Sequence, residues 1–273
     1  MYRRLRVGIV GCGAIGSSLA EAVRKIFSAR AKLSGLYDKD TAKAVKLACR
    51  LHERSLALSG ISAVIDNSDL IIEATSAAAS SGIAEKALTA SKDILVMSVG
   101  GIAGCYERLK ALAEKRKGRI FIPSGAICGM DGLKAAALTK IKKVVLTSRK
   151  PPQAFLGNLY LSGKKINLQG IRKETILFEG NALQAIKAFP QNVNVAVALG
   201  LAGIGPRRTI VRVVASPGLK RNIHEIEISS DAVNIFTRTE NKVHPDNPKT
   251  SYLAVLSAVA ALKNILGYAS IGT

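Results

Sequence analysis

Aromatic residues are scarce in this chain: six Tyr, six Phe and no Trp among 273 residues. Stacking platforms for single-stranded nucleic acid interleave aromatic and cationic side chains, and few can be assembled here. Only four cysteines occur, Cys12, Cys49, Cys105 and Cys128, with no CxxC pair. That spacing excludes the common zinc motifs and a disulfide framework and points to a reducing compartment, so no metal site is expected and the cytoplasm is the expected location. Long hydrophobic runs are missing too. The longest, 195–205 and 253–262, fall well short of the roughly 20 residues of a membrane helix, and no transmembrane span is expected. The opening MYRRLRVGIVG is basic, then apolar, but its apolar part is short and rich in glycine, unlike a secretory signal.

Acidic residues are outnumbered. Forty Lys and Arg against 19 Asp and Glu leave a formal charge of +21. The cations are scattered, as at Arg3, Arg4, Lys115 to Lys117, Arg207 and Arg208, rather than gathered in one block. This reads as a solvated basic surface that raises the local concentration of anionic substrates, and nucleic acid is not the expected partner. With 48% hydrophobic residues the chain can bury a real core. Its length suits one large or two modest domains and excludes wholesale disorder.

What is present begins with a strand-like run, Leu5 to Val10, ending in Gly11-Cys-Gly13-Ala-Ile-Gly16 and followed by helical periodicity at Leu19, Val23 and Ile26. Each glycine has a physical task in such a turn. Gly11 permits the tight bend, Gly13 lets the backbone approach a pyrophosphate, and Gly16 lets helix and strand pack closely. The helix N-terminus, with Ala14 and Ile15 in the turn, then faces the phosphates. A second strand-like run, Lys32 to Tyr37, ends at Asp38, 22 residues beyond Gly16, where a carboxylate would accept from the ribose hydroxyls. That favours NAD over NADP, although Lys39 directly after it softens the discrimination and leaves NADP open. An ordinary strand-end turn is the competing reading of Asp38.

Helix and strand signals then alternate: helices over 42–51, 80–90 and 106–115, strands over 70–74, 94–99 and 120–123. Such alternation predicts a doubly wound parallel sheet of Rossmann type, with ligands beyond the carboxyl ends of its strands. Thr75, Ser76, Ala77 and Ser98 join Gly11 to Gly16 and Asp38 along that crevice. After residue 123 strict alternation stops. Strand-like runs at 144–147, 175–178, 210–215 and 223–229, with helices over 180–189 and 190–199, predict an α+β second domain for substrate and catalysis. Asn192 and Asn194 are polar amides entering an apolar helix, so each caps it or meets a ligand.

His52 and His244 sit in polar turns and are expected in solvent. His224 differs: in Asn222-Ile-His-Glu-Ile-Glu-Ile228 a strand places His224, Ile226 and Ile228 on one face and both glutamates on the other. A histidine there is either a satisfied core residue or a proton-transfer group, which its ordinary pKa near 6.5 suits. No HExxH, GxSxG or Walker lysine offers an alternative chemistry.

Four segments together resemble the L-aspartate dehydrogenase family over nearly the whole chain. They are GIVGCGAIGSSLAEAV near the start, PSGAICGMDGLKAA at 123–136, FPQNVNVAVALGLAGIG at 189–205, and RNIHEIE with DNPKTSYL. The first is common to many dinucleotide enzymes, and the other three are more specific. The resemblance implies NAD(P)-dependent oxidation of L-aspartate to iminoaspartate, then oxaloacetate and ammonia, or the reverse, with an imine able to feed NAD biosynthesis. It implies Ala126 and Asn194 near the nicotinamide and His224 as the catalytic residue. It also implies that residues 246–273 return to the first domain, 1–123, leaving 124–245 as the second. Arg221, Lys220 and Lys249 lie near these motifs as candidates for the substrate carboxylates. A homodimer is expected. The rivals are a homoserine dehydrogenase-like enzyme and a non-catalytic NAD-binding redox sensor.

Overall fold

The computed structural model describes residues 3–190, 193–244, 247–269 and 271–272. The chain divides into two compact units: the first runs to Pro123 and resumes at Val255, and the second runs from Ser124 to Ala254.

The first unit contains β1 (Leu5–Val10), α1 (Ala14–Lys25), β2 (Ala31–Tyr37), α2 (Thr41–Arg50), α3 (Ile61–Asp66), β3 (Leu70–Glu73), α4 (Ala77–Thr89), β4 (Asp93–Val96), α5 (Tyr106–Arg116) and β5 (Ile120–Phe121). The sheet order is β2-β1-β3-β4-β5, with every neighbouring pair parallel. Its central strands are apolar on both faces, with Val7, Ile9, Ile71, Ile72, Ile94 and Leu95 fully buried, because helices cover the two sides. Strand order reverses beside β1, which makes the switch point between the carboxyl ends of β1 and β3. The expected strand over 94–99 stops at Val96, and Val99–Ile102 turns into a short 3-10 helix.

The second unit contains α6 (Met130–Ala136), β6 (Ile141–Lys150), α7 (Leu159–Gly163), β7 (Thr175–Asn181), α8 (Ala182–Ala188), α9 (Asn194–Ala202), β8 (Ile210–Ala215), β9 (Asn222–Ser230), β10 (Asn234–Asn241), β11 (Val243–His244) and β12 (Asn247–Ser251). The main sheet runs β10-β9-β6-β8-β7, parallel between β6 and β8 and antiparallel elsewhere. Its inner face, with Leu146, Val213, Ile226 and Ile228, packs with α8, α9 and Phe189 into one apolar cluster. A reciprocal cap begins α8: Asn181 accepts from the Gln184 amide at 2.9 Å, and the Gln184 side chain accepts from the Asn181 amide at 2.8 Å. The sheet's outer face carries Arg149, Glu225, Arg238 and the exposed Ile176 and Phe236.

Three expectations are corrected here. The helix anticipated from Pro190 starts at Asn194, and Asn192 lies outside the described residues. Strand β10 was not anticipated, since its adjacent Ile235 and Phe236 blur the alternation. His244, expected in solvent, is buried, because pairing of β11 with β12 places its ring edge-on to Tyr252 at 5.5 Å between centroids. From β12 the chain enters α10 (Tyr252–Leu266), whose Ala258 and Leu262 are fully buried in the core of the first unit.

Candidate active site

In the first unit the glycine turn has the shape a pyrophosphate cradle needs. Gly11 adopts φ +101°, and a Cβ there would stand 2.3 Å from the Ala74 carbonyl oxygen, so only glycine fits. At Gly16 a Cβ would meet the Gly11 carbonyl oxygen at 1.8 Å, whereas at Gly13 nothing lies within 4 Å. Two positions are thus closed by protein and the middle one is open, while α1 begins at Ala14 with no side-chain cap on its first turn. These residues fit a dinucleotide phosphate.

Asp38 lies against the same turn. Its Oδ2 accepts from the Cys12 amide at 2.8 Å, and Oδ1 accepts from the Asp40 amide at 3.0 Å. A carboxylate offers about four lone pairs, so acceptor capacity remains for ribose hydroxyls. Cys12, buried beside Asp38, has its thiol pushed up to about 12, first by desolvation and then by that carboxylate. It is a packing residue and not a nucleophile.

The loops after β3 and β4 are pinned by a residue that the sequence pattern did not reveal. Glu73 is fully buried and accepts from the Thr75 amide at 2.7 Å, the Thr75 hydroxyl at 2.6 Å, the Ser80 hydroxyl at 3.1 Å and the Ser98 amide at 2.9 Å. Thr75 and Ser76 are exposed, Ala77 opens α4, and Ser98 is buried with its amide committed to Glu73.

In the second unit, one end of the inner sheet face turns polar. Ser148 on β6 is the register partner of His224 on β9, which in turn pairs with Thr239 on β10. The Ser148 hydroxyl and His224 Nδ1 are 2.8 Å apart, and the ring is buried. Desolvation first, then the charge of Lys150, push the His224 pKa down to about 3, so the imidazole is neutral at physiological pH. Lys150, two residues beyond Ser148, is itself buried, which lowers its ammonium to about 8.

Ala126 belongs to the loop before α6, and its carbonyl is held from β10: Asn241 Nδ2 donates to it at 3.1 Å and the Thr239 hydroxyl at 3.2 Å. The same hydroxyl lies 3.3 Å from the His224 carbonyl, so Thr239 stands between the two. Asn194, at the first turn of α9, is exposed, and no side-chain cap forms there. The sequence indicated His224 and Ala126 but missed Ser148, Lys150, Thr239 and Asn241. Strand alternation puts Ser148 and Lys150 on one face, but only the pairing of β6 with β9 brings that face to His224.

Comparison with known proteins now decides the family. Residues 131–265 match the model described as aspartate dehydrogenase, C-terminal, and residues 11–123 match homoserine dehydrogenase, NAD binding domain. The L-aspartate dehydrogenase of Methanosarcina barkeri is 44% identical over 271 residues, covering 98% of this chain and 100% of its own. The chain belongs to the L-aspartate dehydrogenase family. Another member, from Methanocaldococcus jannaschii, is 38% identical with the same coverage of both chains. Among solved structures, aspartate dehydrogenase from Thermotoga maritima shares the fold with TM-score 0.72 at 24% identity, over 99% of this chain and 100% of its own. A putative homoserine dehydrogenase from Archaeoglobus fulgidus also shares it, with TM-score 0.57 at 13% identity, over 96% and 99%. The fold therefore admits several dehydrogenases, and the full-length sequence likeness is what assigns this one to the aspartate family.

Proposed function

We propose that this chain catalyses the NAD(P)-dependent oxidation of L-aspartate to iminoaspartate, which hydrolyses to oxaloacetate and ammonia, or the reverse reductive amination. The observation that carries this reading is a neutral, buried imidazole at the polar end of the second unit's sheet, in a chain whose first unit has an open glycine cradle. The first unit is read as the dinucleotide domain and the second as the substrate and catalytic domain. Gly11, Gly13, Ala14, Ile15 and Gly16 would hold the pyrophosphate, Asp38 the ribose hydroxyls, and Thr75, Ser76, Ala77 and Ser98 the flank of the cofactor, with Ala126 and Asn194 beside the nicotinamide. Asp38 favours NAD, because a second anion at the 2′ position would be repelled. The bound nicotinamide supplies the hydride acceptor.

His224 supplies the proton transfer. When its Nδ1–H donates to Ser148, Nε2 carries the free lone pair and can take a proton from the substrate ammonium or from a water attacking the imine. Because the imidazole is neutral, that lone pair exists throughout the physiological range.

The iminoaspartate product suits supply of NAD biosynthesis, and the reduced thiols suit the cytoplasm. Among the described residues no helix is long and apolar enough to cross a membrane. The outer face of the second sheet, where Ile176 and Phe236 are exposed beside paired charges, supports a homodimer.

The test is purified protein with NAD or NADP and a panel of L-aspartate, D-aspartate, L-glutamate, L-homoserine and L-malate, followed by absorbance of the reduced nicotinamide. Turnover confined to L-aspartate is expected, and His224→Ala should lower kcat by roughly 10²- to 10⁴-fold, the range that general acid–base catalysis supplies, with cofactor affinity intact. Turnover of homoserine instead would overturn the substrate, and an active His224→Ala would overturn the catalytic assignment.

A further inference from the structure

The substrate assigned above carries two carboxylates, and the histidine assigned to it is neutral, so the site needs a cation from elsewhere. The cations of the outer sheet face lie on the opposite side of the strands from His224. Arg149 pairs with Glu225 at 3.0 Å and Glu174 at 2.7 Å, Arg212 with Glu179 at 2.7 Å, and Arg238 with Glu225 at 2.7 Å. Arg221 and Lys220, the candidates nearest the family motifs, are exposed in the turn before β9, and the side chain of Lys249 lies outside the described residues.

Lys150 is differently placed. It ends β6 in register with Ala215 of β8, a residue of the inner apolar cluster, and strand alternation puts it on the same face as Ser148 and therefore as His224. Among the described residues it is the one buried lysine or arginine. It sits where β6, β8 and β10 end and β9 begins, the end of the sheet at which the Ala126 carbonyl is held. The Oδ1 of Asn241, on the same face through its register with Asn222, is buried without a hydrogen-bond partner, a second polar group at this end. A buried ammonium on the same face as the catalytic imidazole is a positive charge held where a substrate anion beside His224 can be met. Its ammonium still carries the charge at neutral pH, because burial lowers it only to about 8.

We infer that the Lys150 ammonium receives a carboxylate of the dicarboxylic substrate beside His224. The inference rests on the aspartate reading of this site and adds the group that recognises the acid. A lysine serving as proton acceptor instead would govern kcat, whereas a carboxylate receptor governs KM and the choice between substrates.

The experiment compares wild type with Lys150→Met, which keeps the length and removes the charge, and Lys150→Gln, which keeps a donor. Kinetics with L-aspartate are measured, together with binding of succinate to the NAD-loaded protein by calorimetry and of NADH by fluorescence. Expected for Lys150→Met is a KM for L-aspartate raised on the order of 10²-fold, as for loss of a buried charge-assisted hydrogen bond. Its kcat should change far less and its NADH affinity should hold. Lys150→Gln should fall between, and succinate should bind wild type but neither variant comparably. An unchanged KM, a loss confined to kcat, equal succinate binding by all three proteins, or none by any, would overturn the inference. If wild type fails to oxidise L-aspartate yet binds succinate through Lys150, the aspartate reading falls and the carboxylate site stands. NADH binding shows that the first unit of each variant has folded, and dispersed methyl signals in NMR spectra show that the second has.

Discussion

His224 stays neutral because its ring is desolvated and faces the charge of Lys150, and that neutrality has a thermodynamic signature. Its folded pKa of about 3 lies below the ordinary 6.5, so between those values the unfolded chain binds a proton that the native one refuses. Stability from this group is therefore complete above about pH 6.5 and is lost progressively as pH falls toward about 3. Thermal melts from pH 7 to pH 4 should show a smaller fall in Tm for His224→Phe than for wild type, and parallel curves would contradict the assignment. The sequence made this histidine conspicuous because alternation in Asn222–Ile228 is local. Lys150 stayed hidden for a physical reason: its role depends on β6 pairing with a strand more than 70 residues away, through the register of Ser148 with His224. Nothing within its own neighbourhood, Thr147-Ser-Arg-Lys-Pro151, distinguishes it from the many surface lysines.

At the level of elements, the carboxyl ends of β1, β2, β3 and β4 work as a group because their loops are bound to one another. Asp38 at the end of β2 holds the turn after β1, and Glu73 at the end of β3 holds both its own loop and the one after β4. The glycine turn was legible because its constraints are steric and local. The glutamate was not, because an acidic residue closing an apolar strand looks like a solvent-facing end until Ser98 is brought to it by the β3–β4 pairing. Replacing Glu73 with Gln leaves the volume unchanged but cannot offer acceptors to four donors at once, leaving buried amides without partners at about 1–3 kcal/mol each. Glu73→Gln should lower Tm by several degrees and weaken NADH binding about tenfold or more, measured by melting and fluorescence titration. Unaltered NADH affinity would show that the loops do not depend on this carboxylate. Strand β10 was the element least visible in the sequence, yet it supplies Thr239 and Asn241, the side chains that hold the Ala126 carbonyl.

Across the whole molecule, the first unit is discontinuous in sequence: its core is completed by Ala258 and Leu262 from α10, after the entire second unit has intervened. Introducing a carboxylate at Leu262 buries a charge in that core, a change that costs several kcal/mol unless the helix lets go. Leu262→Asp should abolish NADH binding while the second unit keeps dispersed methyl signals in NMR spectra, and retained cofactor binding would show that α10 is dispensable. The arrangement also reverses the usual order of events on the ribosome. Domains commonly fold from the N-terminus as they emerge, but here the nucleotide-side residues, although synthesised first, must wait for α10, made after the entire second unit, before their core can close. The later-made unit is free to fold first, and the earlier-made one keeps an open core until α10 arrives, which places cofactor capture after the second unit has been made.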